Sequence, residues 1–559
     1  MSEVPPEGPE RPGDDPAEGV IELTPVPILS PATAERFGAR VLDPVTAVPM
    51  ARTDGQRPRP TAYIGDALLV RGLPGGGREE TLGSINTELE KYGLRAVADE
   101  GRDEEILGLL GDLTGAYEGA REDLDRTWVT RLSLVRLPDL ESKERGLAQD
   151  SRPVDAWPVL QLLREAGLPE SEVQLDHLVM AAADIGGAPY WQGAPYWQGA
   201  PYWQGAPYWQ GAPYWQGAGS PEYGVPGTGG RGPVTLVLPD PATTARKTAR
   251  TPVVVVPDTR IGTHPWFSDT AQTVQDVHVG PVLLGIDGPL DTLPPLPRNP
   301  LDGAVPAYAG HGTFIAGIIR QQCPQARILG IPLMYDDGVV PEDLLVNTLT
   351  LLLHRQRAAV QTDNADDLLD VLSLSLGYYH ESPEDEVTDA VLGLVLRDLG
   401  WWGVAVVAAA GNDSTIAPFR PAAFASQVTG FHSDRVPLAS VGALNPDRRT
   451  VAWFCNAGPW VSCYRLGANL VSTLPVDLDG CRQPSHLMRY RGKTRACIDL
   501  DDFSGGFATW SGTSFAAPVL AGELARHLAE LKPSVASDRK ALVQGGWDAV
   551  TKELGWKRP

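Results

Sequence analysis

The sequence lacks any apolar stretch long enough to cross a lipid bilayer. Its longest apolar run covers residues 399–410, whereas a membrane-spanning helix needs about 18–20 such residues. That run is more typical of a buried strand and its approach. Residues 1–19 also lack the basic and apolar regions of a secretory signal. We therefore expect a cytoplasmic protein, with export by a non-classical route as the alternative.

Basic residues are also scarce. The 559 residues include 47 Lys and Arg against 70 Asp and Glu, which gives a formal net charge of −23. Nucleic acids and anionic membranes bind clustered Lys and Arg, so neither is expected as a partner. Hydrophobic residues make up 42% of the chain and charged residues 21%. This balance allows a sizeable core and excludes a wholly disordered protein.

Cysteine is rare and odd in number. The five cysteines are Cys323, Cys455, Cys463, Cys481 and Cys497. Their low density in a long chain excludes a small disulfide-stapled scaffold, and none has the Cys-x-x-Cys spacing of a zinc site. We expect all five thiols to be reduced. If the chain is exported, Cys455–Cys463 and Cys481–Cys497 remain open as disulfide pairs.

Composition and periodicity divide the first third of the chain. Residues 1–59 are rich in Pro, Glu and Asp without apolar periodicity, which indicates disorder. Residues 60–182 then carry the patterns of strands over 62–71, 94–98, 128–137 and 173–179, of helices over 82–92 and 155–166, and of an additional helix over 104–124. Without the additional helix the order is β-α-β-β-α-β. It predicts a small α+β domain with the ferredoxin-like arrangement.

A tandem repeat lies in the next segment, residues 183–250. The hexapeptide APYWQG occurs five times without change over residues 188–217. Each unit's Pro removes a backbone donor and each Gly adds backbone freedom, so the repeat cannot propagate a helix. Two interpretations stay open. The repeat is an extended linker produced by duplication, or its Tyr–Trp pairs bind a partner such as the protein's own cleft.

Apolar strands alternate with helices over residues 251–535. Short β-branched runs such as 253–256 and 404–409 are separated by helical stretches such as 342–357. Strands that are apolar throughout indicate a parallel sheet covered by helices on both faces. We therefore predict an α/β domain over 251–535, followed by a C-terminal tail or helix over 536–559.

Three motifs in this domain carry the side chains of nucleophilic catalysis. Asp258 follows an apolar strand in VVVVPDTRIG, His311 begins a helix in GHGTFIAG, and Ser514 begins another in SGTSFAAP. A serine hydroxyl becomes a strong nucleophile when a histidine accepts its proton, and an aspartate holds that histidine in the productive tautomer. Each motif alone is common. Together, in the order Asp, His, Ser, they predict a catalytic triad.

With these motifs the chain resembles the subtilisin-like serine peptidase family, the subtilases, over about residues 251–535. The resemblance implies hydrolysis of peptide bonds through an acyl-enzyme on a parallel α/β fold. It also implies that Asn412, in VVAAAGNDS, is the side-chain donor to the oxyanion, beside the backbone N–H of Ser514. The strand that it implies for substrate pairing consists of Ser375, Leu376 and Gly377.

The chain departs from the family pattern at two places. Arg260 stands where the family usually has Gly after Asp-Thr, which adds a side chain beside Asp258. Tyr378 and Tyr379 follow Gly377 where smaller residues are common. The second departure predicts that the pocket next to the substrate strand is partly filled.

The resemblance also implies regulation from within the chain. Residues 60–182 stand where the family has a propeptide of the same element order, so this domain is predicted to chaperone or inhibit the peptidase domain. Self-cleavage is then expected within residues 181–250. The expected partners are a protein or peptide substrate and the chain's own N-terminal domain.

No cofactor is expected. Glu384, Asp385 and Glu386 offer carboxylates for a structural calcium, and a solvated helix start is the other interpretation.

Functions of two classes follow from these features. The leading prediction is a serine endopeptidase regulated by its N-terminal domain. The alternative is a catalytically silent protein that binds peptides on the same fold. The presence of Asp258, His311, Asn412 and Ser514 together favours the enzyme, because a scaffold does not need all four. A third possibility keeps the enzyme and makes it a cytoplasmic regulatory protease that a partner activates.

Overall fold

The computed structural model describes residues 24–51, 55–138, 153–169, 171–182, 223, 230–236, 239–291, 303–382, 391–531 and 538–559. Strands β1 to β22 are Ala39–Val41, Ala62–Arg71, Leu94–Ala98, Val129–Arg136, Val173–Ala181, Gly232–Pro233, Val253–Thr259, Thr273–Val274, His278–Val279, Val282–Leu283, Arg327–Met334, Val339–Pro341, Val371–Leu374, Leu376–Tyr379, Ala405–Ala409, Phe419–Arg420, Ala439–Leu444, Cys463–Leu466, Leu470–Thr473, Leu487–Tyr490, Lys493–Ala496 and Phe507–Trp510. Helices α1 to α11 are Pro31–Phe37, Arg78–Leu89, Glu100–Thr114, Ala120–Thr127, Ala156–Glu165, His311–Gln322, Glu342–Gln361, Val391–Trp401, Ser426–Thr429, Thr513–Leu528 and Arg539–Leu554. The APYWQG repeat and the acidic residues 384–386 lie outside the described residues.

Seven parallel strands form the sheet of the larger domain, in the order β18-β17-β15-β13-β7-β11-β8. Every residue of β7 and β15 is buried, as expected where helices cover both faces of a parallel sheet. Helices α6 and α10 pack on each other and on β7. The α/β fold predicted from the continuous apolar runs is confirmed.

The smaller domain has an antiparallel sheet in the order β5-β2-β4-β3. Helices α2 and α5 pack on one another and on β2. Their apolar residues Ile85 and Trp157 are buried with Leu68 and Leu132 of the sheet. The strand and helix order is the one that the sequence pattern predicts for the ferredoxin-like arrangement.

The additional helix of this domain differs from the prediction. Residues 104–124 were expected to form one helix, but the chain forms α3 and α4 with a turn between them. Gly119 precedes α4 with a φ of 83°, a left-handed conformation that glycine adopts without steric cost. The apolar periodicity continues across this turn, so the sequence pattern does not reveal that the helix is divided into α3 and α4.

The prediction of disorder over residues 1–59 is wrong for the part that the structure describes. Helix α1 begins after Ser30, whose side chain accepts a hydrogen bond from the Thr33 N–H, and ends at Gly38 in the left-handed region. Strand β1 then pairs with β2. An N-cap serine followed by Pro31 is a local signal for the start of a helix. The prediction of disorder relied on the Pro-rich, acidic composition of the segment and did not use this signal.

The two domains share one sheet. The smaller domain's sheet continues through β5 to β14 and β16 of the larger domain, and β12 also pairs with β5. The pairings of β5 with β12 and with β14 are both antiparallel. Strand β5 therefore leads the chain from the smaller domain to the carboxyl edge of the parallel sheet.

The C-terminal segment predicted as a tail or helix contains α11, which packs on α10 and buries Trp547. Among the residues that the structure describes, no helix combines the length and the apolar character that a bilayer crossing requires.

Candidate active site

Four polar side chains meet where the parallel strands end. Asp258 is the second-last residue of β7, and Asn412 follows β15. His311 is the first residue of α6, and Ser514 is the second residue of α10. All four are at most 2% exposed. The fold thus brings together the residues that the sequence motifs predicted.

Asp258 and His311 form a direct pair. The Nδ1 atom of His311 lies 2.7 Å from Oδ1 of Asp258, and the Thr259 backbone N–H donates to the same oxygen at 2.7 Å. A carboxylate accepts, so the imidazole carries its proton on Nδ1, and Nε2 keeps a lone pair. Among the described residues, Nε2 has no hydrogen-bond partner. It is therefore placed to accept a proton.

The backbone around this pair is close-packed. The Gly312 N–H donates to Oγ1 of Thr259 at 2.9 Å, and a Cβ at Gly312 would overlap the Thr259 carbonyl oxygen. Only glycine allows α6 to approach β7 this closely. Arg260 points away from the pair, toward Asp287 at 2.8 Å in solvent. The added side chain at this departure from the family pattern therefore does not disturb Asp258.

Ser514 is hydrogen-bonded to Ser375, in the strand predicted to pair with substrate, rather than to His311. Its hydroxyl donates to the Ser375 carbonyl at 3.1 Å, and the Ser375 hydroxyl donates to the Ser514 carbonyl at 2.8 Å. That carbonyl lacks its usual helical partner, because the residue four positions later in α10 is Pro518, which has no N–H. The proline therefore frees the Ser514 carbonyl for Ser375.

Two donors converge on one carbonyl oxygen. The Asn412 side-chain amide donates to the Ala182 oxygen, and the Ser514 backbone N–H donates to it at 3.4 Å. The backbone N–H and the hydroxyl of Thr513 both donate to Oδ1 of Asn412 at 2.8 Å, which fixes the amide with its nitrogen toward Ala182. The sequence interpretation did not name Thr513, although its place in SGTS beside the serine was a usable signal.

Residues before Ala182 pair with the larger domain as an extended strand. Ala181 is opposite Leu376 and Met180 is opposite Gly377, while the Ala182 N–H donates to the Ser375 carbonyl at 3.0 Å. The three residues predicted to bind substrate therefore hold the end of β5. The other edge, where β12 pairs with β5, was missed, because its short run Val339–Pro341 has no distinguishing pattern.

The two tyrosines after Gly377 have separate roles. Tyr379 donates to Asp413 at 2.6 Å and accepts from Asn456 at 2.8 Å. Tyr378 donates to Glu342 at 2.8 Å. Both hydroxyls are therefore held by hydrogen bonds to neighbouring side chains.

One group of His177, His380 and Glu381 has ligand-type atoms within 4.8 Å of one another. Both nitrogens of His177 are engaged by carboxylates, and Nδ1 of His380 accepts from the Ser382 N–H at 3.1 Å. Since both nitrogens of His177 face carboxylates, the group is an ion-pair cluster. The five cysteines are free thiols.

Comparisons with known proteins point to one family. A model of the subtilase family matches residues 250–544. Serine protease AprX of Bacillus subtilis (strain 168) is 27% identical over 266 residues, which cover 43% of this chain and 53% of that protein. An intracellular serine protease of Paenibacillus polymyxa is 25% identical over 229 residues, 39% of this chain and 53% of that protein. The chain thus spans about half the length of these curated relatives.

Among solved structures, a cold-adapted subtilisin-like serine proteinase matches with 20% identity and a TM-score of 0.31, over 53% of this chain and 79% of that chain.

Proposed function

This chain belongs to the subtilase family, and on that premise we propose that it is a serine endopeptidase. Asp258, His311 and Ser514 act as its triad, and Asn412 stabilises the oxyanion. The observation that carries the proposal is the Ala182 carbonyl, whose oxygen accepts from both Asn412 and the Ser514 backbone. Donors aimed at one carbonyl oxygen beside a nucleophile are the arrangement that acyl transfer requires.

The proposed reaction begins when the Ser514 hydroxyl turns from the Ser375 carbonyl to Nε2 of His311. His311 accepts the hydroxyl proton as Oγ attacks the substrate carbonyl carbon, and the oxyanion forms between its two donors. His311 then gives that proton to the leaving amine, which leaves an acyl-enzyme. Water hydrolyses the ester by the same route in reverse. Asp258 keeps the imidazole oriented and stabilises its charged form.

We further propose that the chain cuts itself at the Ala182–Ala183 bond. The carbonyl of Ala182 accepts from both proposed oxyanion donors, and β5 lies antiparallel to β14 as a peptide substrate would. After the cut, residues 60–182 would stay bound as a product and inhibit the enzyme. The pairing of β5 with both β12 and β14 supports this inhibition, because no second chain can occupy the same strand position.

Labelling by a fluorophosphonate tests the nucleophile. We expect one label on Ser514 in the wild-type chain after the N-terminal fragment is released, and none in Ser514→Ala or His311→Ala. Ser504→Ala is the matched control, since Ser504 is an exposed serine of the preceding loop. Labelling that persists in Ser514→Ala would reject the triad. A folded wild type that takes no label would favour the peptide-binding alternative.

Intact-mass analysis tests the self-cleavage. The wild-type chain should yield a fragment that ends at Ala182, and Ser514→Ala should stay whole. A cut elsewhere in residues 183–250 would be consistent with the peptidase activity but would reject Ala182–Ala183 as the bond that is cleaved. The cytoplasmic location remains a prediction from the sequence.

A further inference from the structure

A histidine of the N-terminal domain is buried in the peptidase domain. His177 lies on β5 and is 0% exposed, between Glu342 and Glu381. We propose that Glu342, Glu381 and Tyr378 form a subsite, remote from the scissile bond, which binds a protonated imidazole and so locks the N-terminal domain on the cleft. The proposal rests on the proposed function, since it treats β5 as the bound strand.

The hydrogen bonds require a charge at this site. Nδ1 of His177 lies 2.6 Å from Glu342 Oε2, and Nε2 lies 2.7 Å from Glu381 Oε2. A neutral imidazole has one N–H and can donate to one carboxylate only, whereas imidazolium donates from both nitrogens. Both distances are in the range of charge-assisted hydrogen bonds.

The larger domain supplies a site that is already shaped for this cation. Tyr378 donates to the second oxygen of Glu342 at 2.8 Å, which fixes that carboxylate. The Tyr378 ring also stacks on the His177 ring, with centroids 4.6 Å apart, and an aromatic face attracts a cation. Glu342 is the first residue of α7, where the helix dipole stabilises an anion.

The charges around the cluster favour one cation at His177. Burial and the charge of Arg420 hold the pKa of His380 well below its usual value, and Arg164 acts in the same direction. Although burial opposes it, the charges of Glu381 and Glu342 raise the pKa of His177 to about 10.

The two phenols beside the cluster, Tyr63 and Tyr378, add no charge to it at neutral pH. Tyr63 of β2, opposite His177 in the sheet, donates its hydroxyl to Asp155. Burial and the charges around it raise the pKa of Tyr63 and of Tyr378 above the ordinary value. Both phenols therefore stay neutral when His177 is charged.

The sign of the pH dependence follows from this raised pKa. An unbound histidine has a pKa near 6.5, so the bound form holds its proton more tightly. The lock is therefore complete below about pH 6.5 and weakens as the pH rises toward 10. Acid does not open it. When His177 loses its proton, two buried carboxylates face each other without a cation, which is unfavourable.

The test uses protein that was produced as the full chain and has cleaved itself, with the N-terminal fragment still bound. The amount of bound fragment and the peptidase activity are measured from neutral to alkaline pH. We expect wild type to release the fragment faster as the pH rises. His177→Gln keeps hydrogen-bonding groups but cannot carry the charge. It should release the fragment at least about tenfold faster at neutral pH, with little pH dependence. Glu381→Gln should act in the same direction, and His432→Gln, at an exposed histidine, should behave as wild type.

A second measurement does not depend on activity. In the uncut Ser514→Ala chain, His177→Gln should lower the Tm at neutral pH, and the difference should shrink toward pH 10. Release or Tm values equal to those of the parent chain would overturn the proposal. One equivalent of zinc in the purified protein, with release by a chelator, would also overturn it in favour of a metal. Failure of labelling or cleavage in wild type would reject the proposed function and leave the Tm comparison to decide the lock.

Discussion

At the residue scale, the two ends of the Asn412 amide are held by different partners. Its oxygen accepts from the Thr513 N–H and hydroxyl, and its nitrogen donates to Ala182. The amide therefore cannot rotate without losing hydrogen bonds in a buried site. A donor fixed in this way costs no reorganisation when negative charge develops on the bound oxygen.

Asn412→Ala is therefore expected to keep residual turnover. Loss of one oxyanion donor typically lowers kcat by about 10²–10³, or about 2.7–4 kcal/mol of transition-state stabilisation. Ser514→Ala and His311→Ala should abolish turnover. Steady-state kinetics with a peptide substrate separate these outcomes. An unchanged kcat in Asn412→Ala would remove Asn412 from the mechanism.

Two buried histidines predict acid sensitivity. Burial lowers the pKa of His264 and of His354 to about 4. Unfolding restores a value near 6.5, so these groups contribute stability above pH 6.5 that is lost as the pH falls toward 4. His354→Phe keeps a ring against Tyr117, whose centroid is 5.2 Å away. This substitution should reduce the acid-induced loss in the free energy of unfolding by about 1–3 kcal/mol.

Thermal or urea unfolding at neutral pH and near pH 4.5 measures this effect. His432→Phe, at an exposed position, is the control and should leave the loss unchanged. An equal loss in His354→Phe and wild type would show that His354 is not responsible.

At the element scale, the two-residue strand β16 places the Phe419 ring against Gly377 and Gly411. Antiparallel pairing puts Ala182, Ser375 and the Gly377 position on one face of the β5–β14 ladder. On that face a Cβ at Gly377 would overlap the Phe419 ring, and a Cβ at Gly411 would lie 3.1 Å from it. The ring therefore lies on the face of the ladder that the Ala182 side chain shares.

Cleavage should accordingly require a small residue before the scissile bond. A larger side chain must displace Phe419, which packs on Tyr379 with centroids 5.1 Å apart. We expect kcat/KM for peptides with Ala at this position to exceed that for Phe by about 10²-fold, and Phe419→Gly to narrow the ratio by at least about tenfold. Phe431→Leu, at a phenylalanine that packs on Trp547 of α11, is the matched control. Equal ratios in wild type and Phe419→Gly would reject this assignment.

Local patterns identified the elements but not every contact between them. Continuous apolar runs located β7 and β15, because strands buried on both faces need no polar alternation. The sequence also predicted a partly filled pocket from Tyr378 and Tyr379. It could not identify Phe419, which reaches the same face by pairing of β16 with β14. Pairing between distant segments leaves no periodicity in either.

At the scale of the whole molecule, the same limit explains what the sequence interpretation missed. Motif order predicted Asp258, His311 and Ser514, and the family resemblance added Asn412; each stands at the end of a recognisable strand or the start of a helix. The position of the Ala182 carbonyl between Asn412 and Ser514 depends on the sheet shared by two domains. That sheet joins segments separated by the repeat, so only the three-dimensional structure reports it.

The thiols provide a measurement on the intact protein. Burial raises the pKa of Cys323 and of Cys455 to about 11, which keeps both thiols protonated and unreactive. Rapid alkylation in cells followed by thiol counting under denaturing conditions should find five free thiols. Two fewer would indicate a Cys455–Cys463 or Cys481–Cys497 bridge and an oxidising compartment.

Strand β5 fills a space between β12 and β14, and the size of that space limits what can replace it. Two strand spacings amount to about 9–10 Å, whereas a helix with its side chains is about 10–12 Å across and a hairpin needs two strand positions. A single extended chain therefore fits where folded elements do not. If the proposed self-cleavage releases this strand, we expect the site to accept extended or locally unfolded segments of target proteins and to reject folded ones, whatever their sequence.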